Sequence, residues 1–132
     1  MKNVLVAVVC LSVSTSAARA QAPAAAPVAA DASLVHVVLF RLNEGETPDA
    51  TRALADDSKR LLKDIPGVES VWAGPKAVAD RDVHVKDYDV ALCVRLRTVA
   101  DLKAYATHPQ HRELVEKWKA RATWRVVDFA DR

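Results

Sequence analysis

Two segments of this chain carry apolar side chains on both of the faces that an extended strand presents. They are VHVVLFRL (residues 35–42) and YDVALCVRLR (residues 88–97). Alternate side chains of a strand point to opposite faces of its sheet, so both faces of these strands need cover from water. A sheet with one face fully solvated is therefore disfavoured, and a further layer must lie on each side.

Turn and cap signals divide the rest of the chain into regular elements. Thr47-Pro48-Asp49 has a hydroxyl cap, a proline and an early acid, which begin a helix, and Pro66-Gly67 ends it. A short second strand covers residues 68–73, and a polar loop follows over residues 76–87. After the third strand, Thr98 to Asp101 resembles a capping box and begins a short helix. A proline at position 109 separates this helix from a second one over residues 110–121. Residues 124–130 form the last strand.

The resulting order is β-α-β-β-α(α)-β, the ferredoxin-like arrangement of the α+β class. It places one four-stranded antiparallel sheet beneath helices that lie on a single face. The other face would carry Val35, Val37, Leu39, Ala91 and Cys93, too apolar to remain in water. We therefore expect a symmetric homodimer that packs sheet face to sheet face.

The first twenty residues read as a secretory signal. Lys2 precedes the apolar run Val4–Val13, and Ala18-Arg19-Ala20 has small residues two apart. A membrane anchor is the alternative, but a span needs about 20 apolar residues. We expect cleavage between Ala20 and Gln21 and export to the periplasm or the medium. Residues 21–33 are rich in alanine and proline and predict a disordered spacer, so the folded domain covers residues 34–132.

Removal of this leader changes the charge and the cysteine count. The full chain has 19 basic and 17 acidic residues, and the leader contains two of the basic ones, Lys2 and Arg19. The exported chain is then neutral, which argues against a nucleic-acid or an anionic-membrane partner. Cys93 is then the only cysteine, so the exported chain cannot form an internal disulfide. It is expected to be a small buried apolar residue, with an intersubunit disulfide as the alternative. Three tryptophans, Trp72, Trp118 and Trp124, are expected in the core.

Four segments resemble the stress-responsive A/B barrel proteins, also called dimeric α/β barrel proteins. They are VHVVLFRL, PGVESVWAG, YDVALCVRLRTVADLKAYATHPQHRELVEKW and VVDF, and DLKAYATHPQH is the most specific part. The resemblance implies a homodimer whose two sheets close into a barrel. The family's relatives include plant polyketide cyclases, which close rings by aldol chemistry without a cofactor. Their catalytic tyrosine and histidine fall here on Tyr105 and His111, and a pocket histidine falls on His36. The loop over residues 76–87 differs from that of the cyclases in length and composition. Ala55 and Ser58 are smaller than the corresponding pocket residues on the first helix of the cyclases. The substrate therefore does not carry over.

The residues themselves also predict a pocket. His36 shares the helix-facing side of its strand with Val38 and Phe40, while Tyr105 and His111 flank the helix break. A histidine that titrates near neutrality can take a proton from carbon beside a carbonyl, and a tyrosine hydroxyl can stabilise the resulting oxyanion. The candidate catalytic residues are Tyr105 and His111, and the candidate ligand contacts are His36, Val38, Phe40, Leu92, Val94 and His108. The expected ligand is small and hydrophobic or aromatic.

Several alternatives stay open from the sequence. His36 can simply be a hydrogen-bonded core histidine, Tyr105 an ordinary helix residue, and His108 a residue of the helix break. A zinc site of three histidines is disfavoured because no carboxylate partner is evident, so neither a metal nor a cofactor is expected. Two classes of function remain. One is a small-molecule enzyme or binder with lyase- or cyclase-like chemistry, and the other is a stress-associated dimer without chemistry.

Overall fold

The computed structural model describes residues 27–131 of the 132-residue chain. Seven elements follow one another along it: β1 (Ser33–Leu42), α1 (Pro48–Leu62), β2 (Val68–Pro75), β3 (Val90–Leu96), α2 (Asp101–Thr107), α3 (Pro109–Trp118) and β4 (Ala122–Asp131). Within the described range, none of the helices combines the length and the apolar character needed to cross a membrane.

The four strands form one antiparallel sheet in the order β2-β3-β1-β4. Burial alternates residue by residue along β1 and β3, and the buried set faces the helices. The predicted α+β, ferredoxin-like fold is confirmed. Strand β4 lies at one edge of the sheet, and its side chains are mostly exposed.

The helix start at Pro48 follows the sequence rule only in part. Proline occupies the first turn of α1 as predicted, but the expected hydroxyl cap is wrong, because the Thr47 side chain makes no capping hydrogen bond. Helix α1 ends at Leu62, and the turn that leads from it into β2 contains Gly67, whose φ of +93° lies in the region that glycine tolerates. A Cβ at this position would lie 2.8 Å from the Asp101 Cγ atom, so glycine is also required by the close approach of α2.

The core lies between the sheet and the helices. Its largest fully buried side chains are Trp118, Tyr105, Leu54, Leu62, Leu96, Val90 and Val94. The prediction of three core tryptophans is correct for Trp118 alone. Trp72 is 57% exposed and Trp124 is 37% exposed. Trp72 pairs with Cys93 on the sheet face away from the helices, and Trp124 lies opposite Phe40 on the edge strand, whose side chains are mostly exposed.

Ordered contacts begin slightly before the predicted start of the domain. Strand β1 starts at Ser33, and the carbonyls of Ala32 and Ala30 accept hydrogen bonds from the backbone of Val99 and Ala100, at 2.8 and 3.2 Å. The C-terminal end of the predicted spacer is thereby tied to the start of α2. The predicted leader (residues 1–20) and residues 21–26 of the spacer lie outside the described residues.

Candidate functional site

The break between α2 and α3 brings two polar side chains together. His108 has an extended backbone (φ −64°, ψ 140°), as expected for a residue that precedes proline. Its Nδ1 atom accepts a hydrogen bond from the backbone N–H of Gln110 at 3.3 Å and caps α3. Across this break, the rings of Tyr105 and His111 have their centroids 4.7 Å apart. Because the two helices are not collinear, residues six positions apart can face one cavity.

A second histidine approaches the same tyrosine from the sheet. The ring centroid of His36 lies 5.6 Å from that of Tyr105. His36 Nδ1 lies 2.6 Å from Asp128 Oδ1, on the residue directly opposite in the β1–β4 ladder. The carboxylate accepts a hydrogen bond from Nδ1–H, which holds the ring in one orientation. In the neutral ring, Nε2 then carries the free lone pair.

These side chains border a cavity of about 190 Å³ between the sheet and helices α2 and α3. Its wall is formed by His36, Val38, Phe40, Leu92, Leu102, Tyr105, Ala106, His111, Leu114, Val115, Trp118, Trp124 and Val126. Six of the eight candidate site residues thus lie around one cavity. The other two do not border it: Val94 is fully buried in the core, and His108 caps α3.

Two polar atoms of the cavity wall have no protein partner. Tyr105 is 1% exposed, and its hydroxyl makes no hydrogen bond. His111 Nδ1 is also buried without a hydrogen-bond partner. Buried polar groups in folded proteins are nearly always paired, because an unpaired group costs about 1–3 kcal/mol. Two such groups beside one apolar cavity mark a place where a ligand atom can complete the hydrogen bonds.

Burial sets the protonation of both groups. It raises the pKa of Tyr105, and the negative charge of Asp128 adds to this, so the phenol remains a donor. Burial lowers the pKa of His111, and the charge of His36 contributes in the same direction. The nearby Ala106 backbone partly opposes this decrease, although it completes no hydrogen bond to Nδ1. At neutral pH the pair therefore consists of one neutral donor and one neutral imidazole.

The cavity wall is exposed on β4 and at Ala106 of α2. Most other wall residues are buried or half-buried, whereas Trp124 and Val126 on β4 are 37% and 45% exposed. Both imidazoles thus lie at the wall of a cavity that solvent can reach, and not inside a sealed core.

A buried carboxylate supports the cavity wall from behind. Asp57 on α1 accepts a hydrogen bond from Trp118 Nε1 at 3.1 Å, and it forms an ion pair with Lys117 Nζ at 2.7 Å. Burial alone would raise the pKa of Asp57, but hydrogen bonds from Lys117, Arg60 and Trp118 together lower it. This network fixes the Trp118 indole against the cavity.

No group of three or more metal-ligating side chains occurs among residues 27–131. Asp128 is the candidate site residue that the sequence did not predict, and it supplies the carboxylate partner that was not evident for a histidine. The alternation of β4 does place Asp128 on the same face as Trp124 and Val126. Its contact with His36 depends on the register of two strands that are far apart in sequence.

Comparison with known proteins identifies the domain. The family model of the stress responsive A/B barrel domain matches residues 34–131. An uncharacterized protein of Streptomyces coelicolor is 33% identical over a 99-residue alignment, which covers 71% of this chain and 95% of that protein.

Two solved structures show the same fold. A dimeric ferredoxin-like protein of unknown function from Thermobifida fusca is 26% identical with a TM-score of 0.63, over 76% of this chain and 92% of that one. The hydroxynitrile lyase of Passiflora edulis is 14% identical with a TM-score of 0.65, over 77% of this chain and 95% of that one.

Proposed function

The chain belongs to the stress-responsive A/B barrel domain family, and from this premise we propose that it is an exported homodimer that binds a small aromatic or polyketide-like molecule and moves a proton on it without a cofactor. The single observation that carries the proposal is the pair of buried, unpartnered polar atoms, Tyr105 Oη and His111 Nδ1, at the wall of one apolar cavity.

We propose a role for each polar side chain. His111 Nδ1 takes a proton from a carbon beside a carbonyl group, and the electron pair of that C–H bond moves to the carbonyl oxygen. Tyr105 donates a hydrogen bond to the oxyanion that forms. His36, oriented by Asp128, contacts the ligand from the sheet. The proton then returns from His111 to the carbon, which restores the carbonyl compound. In a lyase reaction His111 instead takes the proton of a hydroxyl group; the carbon–carbon bond beside it breaks as the carbonyl forms, and the proton passes to the departing carbon.

The opening of the cavity favours chemistry over a purely structural role. A sealed pocket around the histidines would suit a protein whose only property is its stability. The partly exposed Trp124 and Val126 at the mouth instead leave a path for a ligand to enter. The Passiflora protein that shares the fold is a hydroxynitrile lyase, so the fold is compatible with lyase chemistry.

A homodimer is supported by the sheet face that no helix covers. We define this open sheet face by Val35, Val37, Leu39, Trp72, Cys93, Val127 and Phe129. Trp72, Val127 and Phe129 are each more than half exposed. Apolar surface of this extent is typical of an interface between proteins. The Thermobifida relative with the same fold is a dimer, and a second copy of the chain is the partner that we propose.

Proton transfer can be tested with a simple ketone. Acetophenone carries exchangeable protons beside its carbonyl, and their replacement by deuterium in D₂O is followed by NMR. We expect the protein to accelerate this exchange, and His111→Ala to reduce the acceleration by about 10²–10⁴-fold. Tyr105→Phe should also reduce it with little change in folding, since it removes only the hydroxyl.

The matched control is His84→Ala. His84 lies in the polar loop, away from the cavity wall. This variant should retain the full exchange rate. Equal rates for His111→Ala and the unaltered protein would overturn the assignment of His111 as the base.

A further inference from the structure

We infer that the cavity selects uncharged carbonyl or hydroxyl compounds of about one ring in size and rejects the corresponding carboxylates. This rests on the proposed ligand site and deepens it, because it names the charge and the size of what the site accepts.

The charges around the cavity do not favour an anion. None of the described residues that border it is a lysine or an arginine. His36 has Asp128 as its hydrogen-bond partner, so this pair has no net positive charge whether the imidazole is protonated or neutral. His111 has two neighbours that oppose its protonation, the apolar wall and the ring of His36. A buried carboxylate would therefore meet the Asp128 charge without a cation to offset it.

The two unpaired atoms favour a neutral ligand that offers an oxygen to Tyr105 and a hydrogen to His111. The Tyr105 hydroxyl can donate to a carbonyl or hydroxyl oxygen. In the tautomer that carries its hydrogen on Nε2, His111 Nδ1 presents a lone pair, which accepts from a hydroxyl hydrogen or faces an acidic C–H group. A carboxylate has only acceptor oxygens, so one of them would face this lone pair and be repelled.

The volume limits the size of the buried part. A dry apolar cavity of about 150 Å³ accommodates benzene. The present cavity of about 190 Å³ thus holds one ring with a few further atoms. A longer ligand must extend past Trp124 and Val126, where the wall is partly exposed.

Binding of three ligands with nearly the same shape tests this inference. Acetophenone and benzamide are neutral, whereas benzoate has a full negative charge at pH 7.5. The indole N–H signals of Trp118 and Trp124 report on the cavity, because both residues border it. Trp72 lies on the open sheet face and is an internal control in the same spectrum. Titration of the full exported chain, followed by NMR, gives an apparent dissociation constant for each ligand.

We expect acetophenone and benzamide to bind at least about tenfold more tightly than benzoate, as measured from the shifts of the Trp118 and Trp124 signals. Tyr105→Phe should weaken the binding of acetophenone and leave that of benzoate little changed. If benzoate binds as tightly as acetophenone, the inference is overturned while the ligand site stands. If none of the three ligands shifts either signal, both the inference and the proposed function are overturned. Selective binding without deuterium exchange would support the inference and contradict only the proposed chemistry.

Discussion

His36 and Asp128 form a hydrogen-bonded pair of 2.6 Å between directly opposed residues of β1 and β4. The pair links a histidine that is 9% exposed to a carboxylate on the exposed edge strand. A carboxylate in this position selects the Nδ1–H tautomer and thereby directs the free lone pair of Nε2 away from β4. We therefore propose Asp128 as a positioning residue for the cavity.

Replacement of Asp128 by asparagine tests this role. Asp128→Asn keeps the size of the side chain but removes the charge, so the His36 ring loses its fixed tautomer. Loss of an orienting partner typically costs about 10–100-fold, and we expect a decrease of that order in the rate of acetophenone exchange. The ¹⁵N shifts of the His36 ring report the tautomer directly. Asp131→Asn on the same strand is the control and should change neither quantity.

The pH dependence of stability should reflect His111. Burial lowers the pKa of His111 in the folded protein, so below its unfolded pKa of about 6.5 the unfolded chain binds more protons than the folded one. The free energy of unfolding should therefore decrease as the pH falls below about 6.5. His111→Gln should show a smaller decrease between pH 8 and pH 5.5 in urea unfolding. An unchanged slope would show that His111 is as easily protonated in the folded protein as in the unfolded chain.

The Asp57 network should contribute measurably to stability. Asp57→Ala removes the acceptor for the Trp118 indole and the partner of Lys117, so we expect a loss of about 1–3 kcal/mol. Because the pKa of Asp57 is lowered in the folded state, its contribution is present above about pH 4 and is lost as the pH falls through the folded-state value. Thermal unfolding at pH 7 and pH 3 measures both effects. Asp56→Ala is the control, since Asp56 is exposed and pairs only with Lys59.

The oligomeric state should depend on the open sheet face. Leu39→Asp places a charge on this face, where a second copy would bury it, and we expect a monomer or insoluble protein. Light scattering after size-exclusion chromatography distinguishes these states from the dimer. Ala104→Asp adds the same charge at an exposed position of α2 and should leave the dimer intact. A soluble, unchanged Leu39→Asp dimer would place the interface elsewhere.

Export should leave a shortened chain. We predict that the protein recovered from the periplasm or the medium begins at Gln21, because Ala18 and Ala20 form the small-residue cleavage pattern. Intact-mass spectrometry of the exported protein measures this. A mass that includes residues 1–20 would contradict the prediction of a cleaved leader.

The local sequence determined where the regular elements lie and which face of each central strand is buried. The period of two in VHVVLFRL placed His36, Val38 and Phe40 on one side, and the proline at position 109 ended α2 as predicted. Backbone preferences of this kind act within a few residues, so they can be read without knowledge of the partners.

Only the tertiary structure decided what these side chains meet. The exposure of Trp72 depends on the helices lying on the other face of the sheet, and the 2.6 Å contact of His36 with Asp128 depends on the register of strands 92 residues apart. The same holds for Tyr105 and His111, which remain without partners because no polar side chain of the described chain reaches their buried atoms. A sequence pattern gives the direction of a side chain relative to its own backbone, whereas pairing and burial are set by contacts between distant segments.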